Sequence, residues 1–99
     1  MTYKIVFDTY ESERYAPTLK EAKQIAYNHT MKHAKAMTHI FNGRRYVGFV
    51  FGDLRVNSPV WVSDNSNTPY ILHKDGSISK HPYAKEDKEV LSRLKKMEW

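Results

Sequence analysis

The stretch His39-Ile40-Phe41-Asn42-Gly43-Arg44-Arg45-Tyr46-Val47-Gly48-Phe49-Val50-Phe51 decides the fold. His39-Ile40-Phe41 and Arg45-Tyr46-Val47 flank Asn42-Gly43-Arg44, and Asn-Gly between apolar runs is a strong short-range hairpin signal because both residues tolerate positive φ. In the second run Val47, Phe49 and Phe51 point one way and Tyr46, Gly48 and Val50 the other, as in a strand with two occupied faces. Downstream, Gly52-Asp53 reads as a turn, residues 54–56 as a short strand, Asn57-Ser58-Pro59 as a break and residues 60–62 as another strand. Residues 64–69 are loop by composition. Tyr70-Ile71-Leu72 and Ile78-Ser79 flank Lys74-Asp75-Gly76-Ser77 as a second hairpin.

Upstream, Tyr3, Ile5 and Phe7 alternate with Lys4, Val6 and Asp8, and the apolar residues in both rows suggest a strand buried on both faces. Residues 11–14 are polar and read as a loop or a ragged strand. Thr18 follows Pro17, and Glu21 stands three residues later, which is a capping box opening a helix over about 19–37. On that helix Leu19, Ala22, Ile25, Ala26, His29, His33, Ala36 and Met37 share one face, and Lys20, Gln24, Asn28, Lys32 and Lys35 lie opposite. The small alanines allow close approach to a sheet. After Pro82, residues of about 83–97 read as a second helix, with Val90, Leu91, Leu94 and Met97 as its apolar stripe and Glu89 paired to Arg93. Strands grouped together with helices at the margins imply an α+β domain, a twisted and mostly antiparallel sheet of about five to six strands with the first helix packed on it. The C-terminal helix would cover the second face, lie at an edge or project to a partner.

The whole chain, 99 residues, makes a single domain. It has no cysteine, which excludes a disulfide scaffold, a thiol nucleophile, an iron–sulfur cluster and cysteine-ligated zinc. No apolar run nears the ~20 residues of a membrane span. The N-terminus lacks the basic-then-apolar pattern of a secretion signal, so a cytoplasmic protein is expected. There is no Gly-x-Ser-x-Gly elbow, and the glycines are isolated, so no glycine-rich loop cradles a phosphate. Asp8, Glu11 and Glu13 form an acidic cluster from which a paired-carboxylate site, or a nuclease with Asp8, His29 and a metal, could begin, but nothing else in the sequence supports one. His29 and His33 have the i, i+4 spacing of two zinc ligands, with His39 as a possible third. Thr30 stands where a hydrolytic HExxH motif carries its glutamate. The expectation is no catalytic residue, no metal and no cofactor, with the histidine pair bordering the core.

The net charge of +5 is concentrated between residues 17 and 63. Lys20, Lys23, Lys32 and Lys35 stand there against Glu21, and Arg44, Arg45 and Arg55 against Asp53. Tyr46 and neighbouring aromatics interleave with these bases. Phe49, Phe51 and Trp61 are expected in the core, while Tyr46 and Tyr70 are candidates for partial exposure. Basic groups beside aromatic rings suit phosphate neutralisation and base stacking. The expected function is therefore a small non-enzymatic binding module directed at nucleic acid through Lys20, Lys23, Lys32, Lys35, Arg44, Arg45, Tyr46 and Arg55. The alternative uses the same charges against an acidic surface of a nucleic-acid-handling protein. A short, basic, cysteine-free chain resembles the accessory and inhibitor proteins of phages and mobile elements, among them anti-CRISPR proteins. Residues 76–85, with Ala84-Lys85 opening the last helix, resemble the end of a double-stranded-RNA-binding domain. His81 and Pro82 stand where that family has two bases, and Lys88 and Glu89 replace its small pair. The strands and helix at 60–97 are similar in topology to the sheet-type DNA-binding modules of phage integrases. Neither resemblance assigns a family.

Overall fold

A computed structural model describes residues 2–7, 12–33 and 35–98, the last seven of these by their backbone only. Asp8 and Glu11 of the acidic cluster, and the side chains of Arg93, Leu94 and Met97, lie outside the described residues. The elements are β1 (Tyr3–Phe7), β2 (Ser12–Ala16), α1 (Leu19–Lys32), β3 (Met37–Asn42), β4 (Arg45–Asp53), β5 (Ser58–Ser63), β6 (Pro69–Leu72), β7 (Ile78–Lys80) and α2 (Ala84–Glu98). Among the described residues the strands form one antiparallel sheet in the order β2-β1-β3-β4-β5-β6-β7. The architecture is the expected α+β domain, with seven strands in place of five or six.

Among the strands and turns one reading is corrected, residues 54–56, and two are narrowed. Residues 12–16 are a full edge strand on β1, with Lys4 opposite Tyr15 and Val6 opposite Glu13. Residues 54–56 are a turn: the Val56 N–H reaches the Asp53 carbonyl, the Asn57 N–H reaches that of Leu54, and Asn57 takes a φ of 50°. The next strand then begins at Ser58 and includes Pro59, near its start, where a missing N–H is tolerated. Finally, within the expected loop of residues 42–44 the first hairpin turns on Gly43-Arg44, with Asn42 paired to Arg45. Gly43 takes a φ of 63° and Arg44 stays at negative φ, the pattern of a turn with glycine at its first central position.

The α1 helix starts as the capping box requires: the Thr18 hydroxyl accepts the Glu21 N–H at 3.2 Å. Thr18→Ala should lower stability by about 1 kcal/mol, read as a shift in urea midpoint, while Thr18→Asp should largely restore it. The helix ends at Lys32 and not near residue 37, with the His33 N–H closing on the His29 carbonyl. Its apolar periodicity continues into Ala36 and Met37, but Met37 pairs with Phe51 and Thr38 lies between Phe7 and Val50. Sheet pairing overrides the local pattern there. Ala22 and Ala26 sit fully buried against Ile5, Phe7, Ile40, Val50, Trp61 and Leu72. Alanine at these positions brings the α1 backbone close to the sheet.

Trp61 lies in the core as expected, but Phe49 and Phe51 do not. They stand on the sheet face turned away from α1, since their neighbour Val50 is the one that points into the core. A β-bulge adds to this. Ile40 pairs with Gly48 and Phe41 with Tyr46, leaving Val47 as the extra residue. Strict alternation would place Tyr46 opposite Phe49. The bulge instead turns Tyr46 onto the face of Phe41 and Phe49 and lets Val47 pack against the core.

Candidate nucleic-acid interface

The face of β2-β1-β3-β4 opposite α1 carries Tyr15, Lys4, Val6, His39, Phe41, Tyr46, Phe49 and Phe51. Its rings form a connected layer. Phe41 meets Tyr46 edge-on at a centroid distance of 5.2 Å, His39 lies 5.7 Å from Tyr46 and 6.4 Å from Phe49, and Phe49 lies 5.9 Å from Phe51. His39 Nδ1 and the Tyr46 hydroxyl share a 2.7 Å hydrogen bond that fixes both rings. The Lys4 ammonium sits 5.3 Å over the Phe41 ring and 3.9 Å from Glu13, whose carboxylate also accepts the Tyr15 hydroxyl at 2.9 Å. That carboxylate, through this hydrogen bond first, raises the Tyr15 pKa. On the same face Val60 and Val62 of β5 are buried, and α2 lies against β6. The half-buried aromatic layer is thus the β1–β3–β4 part of this face.

The basic residues expected to act together are separated. Arg44 and Arg45 are exposed at the β3–β4 hairpin, Arg44 in the turn at the end of the aromatic layer and Arg45, paired with Asn42, on the α1 side of the sheet with Tyr3. Lys32 and Lys35 are exposed beyond the opposite end of β4, about 26 Å away at the ordinary rise per strand residue. Lys20 is exposed, and its backbone and side-chain stem press against Gly76 in the β6–β7 turn, which Gln24 holds through the Asp75 carbonyl at 2.9 Å. Lys23 is half-buried with its ammonium 4.8 Å over the Trp61 ring, and desolvation there lowers its pKa. Arg55 is held by two carboxylates.

That Arg55 cluster is absent from any sequence motif. Nε and Nη2 fork onto the Asp53 carboxylate at 3.1 and 2.8 Å, and Nη1 and Nη2 fork onto Asp87 of α2, the former at 3.1 Å. Its guanidinium also lies 4.9 Å over the Tyr83 ring. Buried His81 accepts the Tyr83 N–H on Nδ1, so its Nε2 carries the proton and donates to Asp53 at 3.0 Å. The Arg55 guanidinium, with help from His81 and against the effect of burial, holds the Asp53 pKa at about 2, below the ordinary 3.8. Ligand atoms of Asp53, His81 and Asp87 lie within 4.8 Å of one another, a spacing open to a metal ion. Arg55 already supplies the positive charge between the two carboxylates, so the cluster's evident work is to tie α2 to the end of β4. In sequence only Asp53-x-Arg55 hints at it, as a turn in which Asp53 accepts the Arg55 N–H at 3.0 Å.

The histidine pair borders the core. The His29 ring lies 4.2 Å from Phe7 and 5.0 Å from His33, and burial, aided by the charges of His33 and Lys32, lowers its pKa. No helix among the described residues is long and apolar enough to cross a membrane. The chain matches no known protein family, no curated protein and no solved structure.

Proposed function

We propose that the protein is a small, cytoplasmic, non-enzymatic module that binds single-stranded nucleic acid across its aromatic sheet face. The observation that carries this reading is the layer of Phe41, Tyr46, Phe49 and His39 on the face away from α1, with exposed Arg44 in the hairpin turn at its end. Bases stack on such rings while adjacent guanidiniums neutralise phosphates, and unpaired bases are the ones free to do so. Lys20, Lys23 and Arg55 play no part in this version of the interface. They serve the β6–β7 turn, Trp61 and the tie to α2.

Fluorescence anisotropy with labelled single- and double-stranded oligonucleotides at about 50 mM salt tests it. Single strands should bind and duplexes bind more weakly. Phe41→Ala should weaken binding by about 5- to 150-fold, the range that stacking of one base spans. Arg44→Ala should lower the salt slope by about 0.7, and Arg45→Ala, on the other side of the sheet, should change it less. Absence of binding at low salt sinks the proposal. A nuclease-resistant complex with an acidic protein formed through the same face would replace it with the accessory or inhibitor alternative.

A further inference from the structure

Beyond the far end of β4, the last turn of α1, the segment leading into β3 and the β4–β5 turn surround an open cavity of about 660 Å³. That volume suits a small molecule of ordinary drug size. Its walls are mostly carbon, from Met31, Ala36, Met37, Phe51, Leu54 and Pro59. Two of these are left largely in water: Met31 is 59% exposed and Leu54 is 88% exposed. An apolar occupant would remove that surface from solvent, and methionine adapts its shape to such an occupant.

Two polar features narrow the class of ligand. Thr30 lines the cavity at 2% exposure, and its hydroxyl has no hydrogen-bond partner among the described residues. A buried hydroxyl left so is costly, and a ligand atom that pairs with it recovers the loss. The rim carries exposed Lys35, and Lys32 stands nearby on the last turn of α1. The carboxylate in the wall, Asp53, is engaged by the Arg55 guanidinium and the His81 N–H, which places an anionic head away from it, at Lys35. Lys32 also offsets the partial negative charge at the C-terminus of α1.

We propose that this cavity binds a small anionic amphiphile: an apolar aryl or alkyl body with one hydrogen-bonding group along it and a carboxylate or sulfonate head. The body lies against Met31, Met37 and Leu54, the hydrogen-bonding group meets Thr30, and the head meets Lys35. This site is separate from the nucleic-acid reading and stands without it.

The probe is 1-anilinonaphthalene-8-sulfonate, which has an aryl body, a bridging N–H and an anionic head. Titrated into the full chain, with near-ultraviolet circular dichroism confirming native packing, it should bind saturably at one site. Decanoate should displace it, and decylammonium, with the same chain and the opposite charge, should not. Leu54→Asp and Lys35→Glu, both at exposed positions, should each weaken the probe by about tenfold. Thr30→Val, which keeps the shape and removes the hydroxyl, should weaken it several-fold. The proposal is overturned if the native protein shows no saturable binding, if decylammonium competes as well as decanoate, or if Leu54→Asp and Lys35→Glu both bind as the wild type does.

Discussion

Gly48→Ala should destabilise the protein by about 3 kcal/mol or more, and outright failure to fold is within the expected range. A Cβ at this position would lie 2.3 Å from the Val62 carbonyl oxygen and 2.7 Å from the edge of the Trp61 ring. The carbonyl belongs to the neighbouring strand, where Gly48 faces Ser63 and Val50 faces Trp61. It cannot move without breaking the β4–β5 ladder. Trp61 cannot move easily either, since it is buried in the core under Lys23. Gly43→Ala is the informative control. No described residue lies within 4 Å of a Cβ there, and the obstacle is its φ of +63°, so the loss should be about 1 kcal/mol. Urea unfolding of both variants separates steric closure from backbone strain. A Gly48→Ala variant within 1 kcal/mol of the wild type, on the scale of such overpacking costs, would mean that Trp61 does not lie over this glycine.

Asp53→Ala should cost about 3 kcal/mol, because it strands a buried His81 N–H and removes one of the two forks on Arg55. The half-exposed guanidinium can turn toward water, so most of the loss comes from His81. The same carboxylate predicts a pH dependence. Its folded pKa of about 2 lies below the ordinary 3.8, so the native state favours the ionised form. The resulting stability, about 2 kcal/mol, is fully present above the ordinary value and lost as pH falls through the folded one. Asp53→Asn, which keeps an acceptor for His81, should flatten the stability profile between about pH 4 and pH 2. Urea midpoints measured across that window check this. A wild type and an Asp53→Asn variant that lose stability in parallel would show that Asp53 is not the group responsible. Loosening of α2, read by hydrogen exchange of its amides, should accompany Asp53→Ala, since Arg55 and Asp87 join the helix to this corner.

Much of the fold was written locally. Thr18 and Glu21 mark the start of α1, Gly43 and Gly76 sit in the turns that close two hairpins, alternating residues outline β1 and β4, and a short apolar run marks β5. The second helix follows Pro82. These signals involve residues a few positions apart, so the chain itself displays them. The end of α1 was not legible, because its periodicity continues unbroken into residues whose backbone pairs with β1 and β4. Nor was the turn at residues 54–57, where apolar Leu54 and Val56 imitate a strand and Leu54 ends in solvent.

The candidate interface divides in the same way. Composition and local pattern carry the α+β class, the basic balance, the absence of thiol chemistry and the presence of aromatics near Arg44 and Arg45 in the chain. Which of those groups stand side by side follows from the packing of the folded chain. One bulged residue, Val47, turned Tyr46 onto the face of Phe41 and Phe49. Distant partners claimed two of the expected bases, Trp61 taking Lys23 and Asp87, 32 residues on, taking Arg55. A side chain's charge is a property of its residue type. Whether that charge meets solvent, a ring or a carboxylate depends on strand register and helix docking, which are set by contacts between residues far apart in the chain.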